Sequence, residues 1–364
     1  MTSQYQSAAP PVARLTYSNC PLPNPLVTAL GAGTLSAAGI ELGLLDGGHG
    51  TLHFTFDDPS YTRFGGEIPP LLSEGLRAPG RTRLLGIIPF TGRQGYYVNS
   101  DSPIRHPVDL AGRRIGVSDS AIRILTGELG DYLDLDPWRQ TLVGLGTWEA
   151  RALLHTLHAG GLGLAAVELV RIANPFVDVP AQRLDTLASL NGADLFADAA
   201  DHQAAVLGSG AVDALFGWLP WAAELERRWH ARSVADLSSD EANTYATVWT
   251  VSSALVSERP DVVQQLVDAV VQAGVWAGEH RDAVIDVHAD NLGVSAEAIT
   301  SGFGADFHQR LVPRLDDASL DLLQRTQRFL LDHHLLARPL ALDRWAAPEF
   351  LTSSFTRFPE RTTA

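Results

Sequence analysis

The chain contains a single cysteine, Cys20, in a setting that suits a reactive thiol. It follows residues 14–18, which are predicted to form a short strand, and it precedes Pro21 in the turn-forming sequence Ser18-Asn19-Cys20-Pro21. A lone cysteine is more often a small hydrophobic residue of the core. At the end of a strand, among polar neighbours, we expect instead a partly exposed thiol. Such a thiol becomes a nucleophile or a proton donor when a base or a positive charge lies nearby.

Two further stretches offer partners for this thiol. His53 follows the glycine-rich segment 46–50 and could share the proton of Cys20 if both reach one cleft, although an isolated histidine is more often structural. The sequence Arg63-Phe64-Gly65-Gly66-Glu67 is expected to open a helix that runs through Gly75. The planar fork of an arginine suits a two-oxygen anion, and glycine allows such an anion to approach backbone N–H groups closely. An ordinary glycine-containing turn with a surface arginine explains this stretch equally well.

Aromatic and apolar residues are available to enclose an aryl group. Core packing accounts for most such residues in most proteins. Trp148 differs because it lies near an expected helix start and could point into a cleft. The candidates for such a wall are Phe54, Phe56, Trp148, Phe196, Trp218, Leu219 and Trp221.

The composition excludes several kinds of chemistry. None of the 27 basic residues is a lysine, so Schiff-base and pyridoxal phosphate chemistry and a phosphate-loop lysine are excluded. One cysteine excludes an internal disulfide and a multi-cysteine zinc site, and His155 and His158 lack further ligands nearby. A net charge of −15 argues against binding to nucleic acid or to an anionic membrane. We therefore expect a small-molecule partner, and neither a lysine-bound cofactor nor a metal held by several cysteines.

The order of elements predicts an α/β protein with two lobes. Strands alternate with helices along the first hundred residues, and the pattern restarts near residue 103, as in βαβ units with mostly parallel sheets. We expect a flexible tail at 1–13, a first lobe formed by 14–102 together with 222–364, and a second lobe at 103–221. In open α/β sheets ligands bind beyond the carboxyl ends of the strands, which places the site in the cleft between the lobes.

Longer stretches of sequence resemble known families. The segments DLAGRRIGVS, GAVDALFGWLPW and SERPDVVQQLVDAVVQAGVW resemble type II periplasmic binding proteins, especially those for alkanesulfonates and nitrate. The segments around Cys20, His53 and 61–70, with LLSEGLRAPGRTRLLGI, LDPWRQTLV, WEARALLHTL, WTVSS and WAAPEFL, resemble the 2′-hydroxybiphenyl-2-sulfinate desulfinase family. This second likeness covers nearly the whole chain beyond the first dozen residues.

The desulfinase resemblance implies a reaction and a set of site residues. The reaction is hydrolysis of the aryl carbon–sulfur bond, which gives 2-hydroxybiphenyl and sulfite without a metal or organic cofactor. The family's catalytic cysteine, active-site histidine and sulfinate-binding arginine correspond to Cys20, His53 and Arg63. The glycine whose N–H helps to hold the sulfinate corresponds to Gly66, with Gly65 beside it, and the tryptophan near the substrate corresponds to Trp148. The chain departs from familiar members at Phe56, where a tyrosine is expected, so the range of substrates could differ.

Two matters stay open at the level of sequence. Cys20 could attack sulfur as a thiolate, or its thiol could protonate the carbon that carries sulfur. A non-enzymatic binding protein for sulfonates or aryl acids is the alternative function, but it needs no cysteine and would carry an export signal, of which residues 1–17 show no sign. We therefore expect a monomeric enzyme in the cytoplasm.

Overall fold

The computed structural model describes residues 13–18, 20, 22–44, 58–173 and 199–358. Ten strands lie in this part of the chain. In chain order they are β1 (Ala13–Tyr17), β2 (Ile40–Leu44), β3 (Tyr61–Gly66), β4 (Thr82–Phe90), β5 (Gln94–Val98), β6 (Arg114–Val117), β7 (Glu168–Arg171), β8 (Ala214–Trp218), β9 (Arg232–Asp236) and β10 (Tyr245–Ser252).

The strands form two five-stranded sheets with the same pattern of neighbours. The orders are β2-β1-β3-β10-β4 and β7-β6-β8-β5-β9. In the first sheet, β1 pairs in parallel with β2 and β3, whereas β10 runs antiparallel to β3 and β4. The second sheet likewise has two parallel pairs and two antiparallel ones. The predicted two-lobed α/β architecture is confirmed, but the sheets are mixed and not mostly parallel.

The antiparallel strands also correct the predicted boundaries of the lobes. The strands β5 and β9 were expected in the first lobe, within 14–102 and 222–364, yet both belong to the second sheet. Each pairs antiparallel in that sheet, where β5 lies between β8 and β9. Such pairing joins segments far apart in sequence, and no local pattern of residues signals it. Of the expected tail at 1–13, Ala13 already belongs to β1, and the remaining residues lie outside the described part.

Helices flank the two sheets and make up much of the rest of the described chain. The α-helices of the described residues are α1 (Pro25–Gly31), α2 (Thr34–Ala37), α3 (Ile68–Leu72), α4 (Asp119–Thr126), α5 (Pro137–Ala159), α6 (Ala199–Gly208), α7 (Leu219–Trp229), α8 (Ser253–Glu258), α9 (Pro260–Glu279), α10 (Arg281–Leu292), α11 (Ala296–Phe303), α12 (Asp317–Asp332), α13 (Leu342–Trp345) and α14 (Pro348–Arg357). A π-helical turn, Ser73–Arg77, follows α3. Among the helices so described, none is long and apolar enough to cross a membrane.

The long helix α5 joins the two lobes, and its start was predicted wrongly. It begins at Pro137, where the carboxylate of Asp136 caps it by accepting a hydrogen bond from Arg139 N at 3.0 Å, and not near Thr147. Gly144 and Gly146 lower the helix propensity of the segment between Pro137 and Thr147, which favours the prediction that the helix begins only after them. In the structure they permit close packing. A Cβ on Gly144 would lie 2.3 Å from Leu72 of α3, and one on Gly146 would lie 2.5 Å from the backbone of α4.

A buried histidine ties α10 to α1 in the first lobe. His288 is fully buried, its Nε2 forms a hydrogen bond of 3.2 Å with the hydroxyl of Thr28, and its ring packs edge-on against Phe303 and Phe307. Burial lowers the pKa of His288 from 6.5 to about 4. The side chain is therefore neutral in the folded protein over most of the acidic range.

This pKa predicts a loss of stability in mild acid. Between pH 6.5 and 4 the unfolded chain binds a proton at His288 that the folded protein does not bind, so the free energy of unfolding falls as the pH falls. From pH 7.5 to 5 we expect His288 to account for a loss of about 2 kcal/mol. Urea unfolding at both pH values should show a smaller decrease for His288→Gln than for the wild type. The exposed His158→Gln is the control, and an equal decrease in all three proteins would contradict the assignment.

Candidate active site

Cys20 lies where the chain leaves the first sheet. Tyr17, the last residue of β1, pairs with Thr62 of β3. Because the two strands are parallel, Cys20, three residues further on, lies beside the second half of β3. Asn24 fixes this turn, because its side chain caps α1 by accepting from Leu26 N at 2.9 Å and donates to Phe64 O at 3.3 Å. Cys20 is 8 % exposed, so the thiol is buried and not partly exposed as expected.

Arg63 lies within β3 and is buried. The strand was predicted as a turn that opens a helix, but its pairing with β10, where Arg63 faces Thr250, makes it an interior strand. The side chain is 2 % exposed, which excludes a surface arginine. Its Nη1 donates to Gly66 O at 3.1 Å. A buried guanidinium is a strong attractor for a small anion, because few water molecules screen its charge.

Gly65 brings the thiol and the guanidinium together. A Cβ placed on this glycine would lie 2.9 Å from Cys20 Sγ and 2.8 Å from Arg63 Nη2. Both groups therefore border the space beside Gly65 that a Cβ would occupy, and any residue larger than glycine would displace one of them. The structure thus brings together three of the residues that were predicted for the site, Cys20, Arg63 and Gly65.

Trp148 closes the site from α5. A Cβ on Gly66 would lie 2.6 Å from Cζ2 of Trp148, so the indole ring rests directly on that glycine. The ring centroid is 5.3 Å from that of Trp218 and 5.8 Å from that of Tyr245. These three aromatic rings come from α5, the end of β8 and the start of β10, and they form an aromatic cluster at the junction of the lobes.

Two hydroxyl groups that the sequence prediction missed adjoin the thiol. The Ser18 and Tyr61 hydroxyl oxygens are 2.6 Å apart, and Tyr61 is 1 % exposed. Burial raises the pKa of Tyr61, the positive charge of Arg63 opposes this, and Cys20 raises the pKa further. Tyr61 and Arg63 lie two residues apart in β3 and so share one face of the strand, a relation that the predicted turn concealed.

A buried carboxyl group, also missed from sequence, follows the strand. Glu67 is fully buried, and its Oε1 accepts hydrogen bonds from Trp148 Nε1 at 3.2 Å and from Thr326 Oγ1 at 3.3 Å. Arg151 Nη1 lies 3.9 Å from the same oxygen. Burial raises the pKa of Glu67, and the charge of Arg151 works against that shift.

The other predicted site residues are placed as follows. Leu219 is fully buried at the turn from β8 into α7, with φ of 58°, and its N–H donates to Arg93 O at 2.6 Å. Trp221 is buried in the following helix, whereas His53, Phe54, Phe56 and Phe196 lie outside the described residues. Across the described ranges, no group of three or more His, Cys, Asp or Glu side chains is placed to hold a metal ion.

The fold and the site define a class of protein. The scaffold is that of two-lobed binding proteins, since the aliphatic sulfonate-binding protein SsuA of Escherichia coli superposes with a TM-score of 0.62 over 92 % of both chains, at 14 % identity. In this chain the scaffold also holds a buried thiol close to a buried guanidinium, a combination that can support nucleophilic or proton-transfer chemistry.

Closer relatives identify the family, although no family model matches. The chain is 67 % identical over 343 residues to the 2′-hydroxybiphenyl-2-sulfinate desulfinases of Rhodococcus erythropolis and Rhodococcus qingshengii, which covers 94 % of this chain and of each relative. It superposes on a cysteine-to-serine variant of DszB in complex with biphenyl-2-sulfinic acid with a TM-score of 0.92, covering 94 % of this chain and 99 % of that one. For the desulfurization enzyme DszB itself the TM-score is 0.90. The chain belongs to the 2′-hydroxybiphenyl-2-sulfinate desulfinase family.

Proposed function

We propose that this enzyme hydrolyses 2′-hydroxybiphenyl-2-sulfinate to 2-hydroxybiphenyl and sulfite, with Cys20 as the reacting group. The single observation that carries the proposal is that Cys20 Sγ and the Arg63 guanidinium both lie within 3 Å of the position that a Cβ on Gly65 would take. One group can hold the sulfinate oxygens while the other reaches the bond to be broken. Membership of the desulfinase family and the aryl sulfinate bound to the related DszB variant support the choice of substrate.

We infer that Cys20 acts as the proton donor. A sulfinate bound at Arg63 neutralises that cation and places a negative charge beside the thiol, which disfavours a thiolate and its attack on an anion. The thiol gives its proton to the ring carbon that carries sulfur, the carbon–sulfur bond breaks with its electrons going to the new C–H bond, and sulfur dioxide leaves. Water adds to sulfur dioxide to form bisulfite and a proton, and that proton restores the thiol. We assign His53 to the handling of this proton from the family resemblance.

The aromatic cluster of Trp148, Trp218 and Tyr245 supports recognition of the biphenyl rings. Its residues are 9 %, 5 % and 1 % exposed, so the cluster is largely shielded from water. An aryl group bound against it would lose its contact with water and gain contacts with the aromatic rings. We propose that Trp148, resting on Gly66, is the wall nearest to the reacting carbon. Leu219, the first residue of α7, follows Trp218 directly and is proposed to support the same wall. Phe54 and Phe196 are proposed as further substrate contacts from the sequence alone.

We propose further that the enzyme works as a monomer in the cytoplasm. A single reactive thiol stays reduced most readily in that compartment. Cell fractionation and light scattering of the purified protein test these two statements.

The role of Arg63 can be tested by its removal. We expect Arg63→Ala to raise the KM for the aryl sulfinate by about a hundredfold, since a charge-assisted hydrogen bond contributes roughly 1.5–3 kcal/mol. Sulfite release, followed with a thiol-independent colorimetric assay, provides the measurement. Added guanidinium chloride should restore part of the activity of Arg63→Ala, and the exposed Arg14→Ala serves as the matched control. An unchanged KM in Arg63→Ala would contradict the proposed anion site.

A further inference from the structure

The buried carboxyl group of Glu67 lowers the stability of the fold, because its hydrogen bonds do not fully replace those it would form with water. It follows β3 directly, is fully buried, and directs one carboxyl oxygen, Oε1, towards three groups. Within the described residues its second oxygen, Oε2, has no hydrogen-bond partner. Because a buried carboxyl group with an unsatisfied oxygen costs on the order of 1–3 kcal/mol, such a group is weak evidence for a stabilising role.

The nearby arginine does not remove this cost. Arg151 Nη1 is 3.9 Å from Oε1, beyond hydrogen-bonding distance, and its own hydrogen bonds go to Thr326 Oγ1 at 3.2 Å and to the carbonyl oxygen of Ala242. Arg151 therefore places a positive charge near the carboxyl group of Glu67 but does not form a hydrogen-bonded salt bridge with it. The hydrogen bonds that Glu67 itself accepts come from Trp148 and Thr326.

These contacts connect the reacting centre to two helices of the scaffold. Trp148 and Arg151 are three residues apart and lie on one face of α5, while Thr326 belongs to α12. Glu67 is adjacent in sequence to Gly66, the residue on which the Trp148 ring rests. The indole is thus fixed at two points, by the contact of its six-membered ring with Gly66 and by the hydrogen bond from its N–H to Glu67.

We propose that Glu67 is a positioning residue for the aryl group of the substrate, acting through the indole of Trp148. The carboxyl group holds Trp148 in the orientation that presents its ring beside Cys20 and Arg63, and Thr326 holds the carboxyl group from the other side. This inference rests on the proposed function, because it specifies how the same site recognises its aryl substrate. It assigns to Glu67 no contact with the sulfinate group.

The test separates recognition of the aryl group from recognition of the anion. Glu67→Leu removes the acceptor, whereas Glu67→Gln keeps an oxygen for the Trp148 N–H. We expect Glu67→Leu to raise the KM for the aryl sulfinate and the inhibition constant of 2-hydroxybiphenyl about tenfold each, with kcat changed less than about threefold. The inhibition constant of inorganic sulfite, which carries no aryl group, should stay constant. Glu67→Gln should restore all three values to near those of the wild type.

A double-mutant cycle keeps the proposal testable if Glu67→Leu does not fold. Thr326→Val removes the hydrogen bond from Thr326 to the Glu67 carboxyl group and leaves Trp148 unchanged. Trp148→Phe removes the indole N–H that donates to Glu67. If Glu67 acts through Trp148, Thr326→Val raises KM in the wild-type background and adds nothing in the Trp148→Phe background. Additive effects, or a rise in the inhibition constant of sulfite equal to that of 2-hydroxybiphenyl, would overturn the inference. A wild-type protein that binds 2-hydroxybiphenyl, with this dependence on Glu67, but releases no sulfite would overturn the proposed function alone.

Discussion

Replacing Cys20 with serine is expected to lower kcat for sulfite release at least about a thousandfold, which corresponds to ~4 kcal/mol of lost transition-state stabilisation. A hydroxyl group is a far weaker acid than a thiol, so it cannot give its proton to a ring carbon at a useful rate. The change exchanges sulfur for oxygen at a residue that is 8 % exposed and leaves the guanidinium of Arg63, the proposed anion site, in place. Binding of the aryl sulfinate should therefore change little, which isothermal titration calorimetry can measure.

The single cysteine makes the controls for Cys20→Ser direct. Because the chain has no other thiol, a methanethiosulfonate reagent that inactivates the wild type can react only at Cys20, and the serine variant is its blank. Mass spectrometry of rapidly quenched wild-type enzyme distinguishes the two mechanisms. A sulfur adduct on Cys20 that forms and decays with turnover would establish attack on sulfur and would contradict proton donation. Turnover of Cys20→Ser near that of the wild type would remove the thiol from the reaction.

The sequence was sufficient to single out Cys20, Arg63, Gly65 and Gly66 as candidate site residues, and the structure places Cys20, Arg63 and Gly65 close together. Their local contexts were compatible with both a structural and a functional interpretation, and the family resemblance favoured the functional one. Their surroundings were predicted less well. Arg63 was placed in a turn because Gly65 and Gly66 are poor strand residues, whereas pairing with β10, nearly two hundred residues away, makes the segment a strand.

Glu67 and the start of α5 were missed for a related physical reason. The acidic side chain of Glu67 reads locally as a helix-start residue, and only Trp148 and Thr326, which are remote in sequence, give it a position near the site. The glycines of α5 read as helix breakers, although close contact with Leu72 requires one of them. A signal for the true helix start was present at Asp136-Pro137, a capping residue followed by proline. The aspartate cap could therefore have been found from the sequence, whereas the contacts of Glu67 could not.

Adding one methyl group at Gly65 is expected to separate the thiol from the guanidinium. In Gly65→Ala the new Cβ would lie 2.9 Å from Cys20 Sγ and 2.8 Å from Arg63 Nη2, distances at which one of the two side chains must move. Because a displacement of about 1 Å can cost two orders of magnitude in rate, we expect kcat/KM to fall about a hundredfold. The substitution removes no reactive group, so a loss of this size would measure the juxtaposition itself.

Gly43→Ala is the matched control for this experiment. Gly43 lies in β2 of the same sheet, and a Cβ placed on it would meet no atom within 4 Å, so this alanine should leave kcat/KM unchanged. The reactivity of Cys20 towards methanethiosulfonate, compared between the two variants, shows whether the thiol has moved. Circular dichroism melting shows whether the fold has been weakened. If Gly65→Ala kept wild-type activity while its melting temperature stayed constant, the thiol and the guanidinium would not need their observed closeness, and the proposed mechanism would lose its geometric basis.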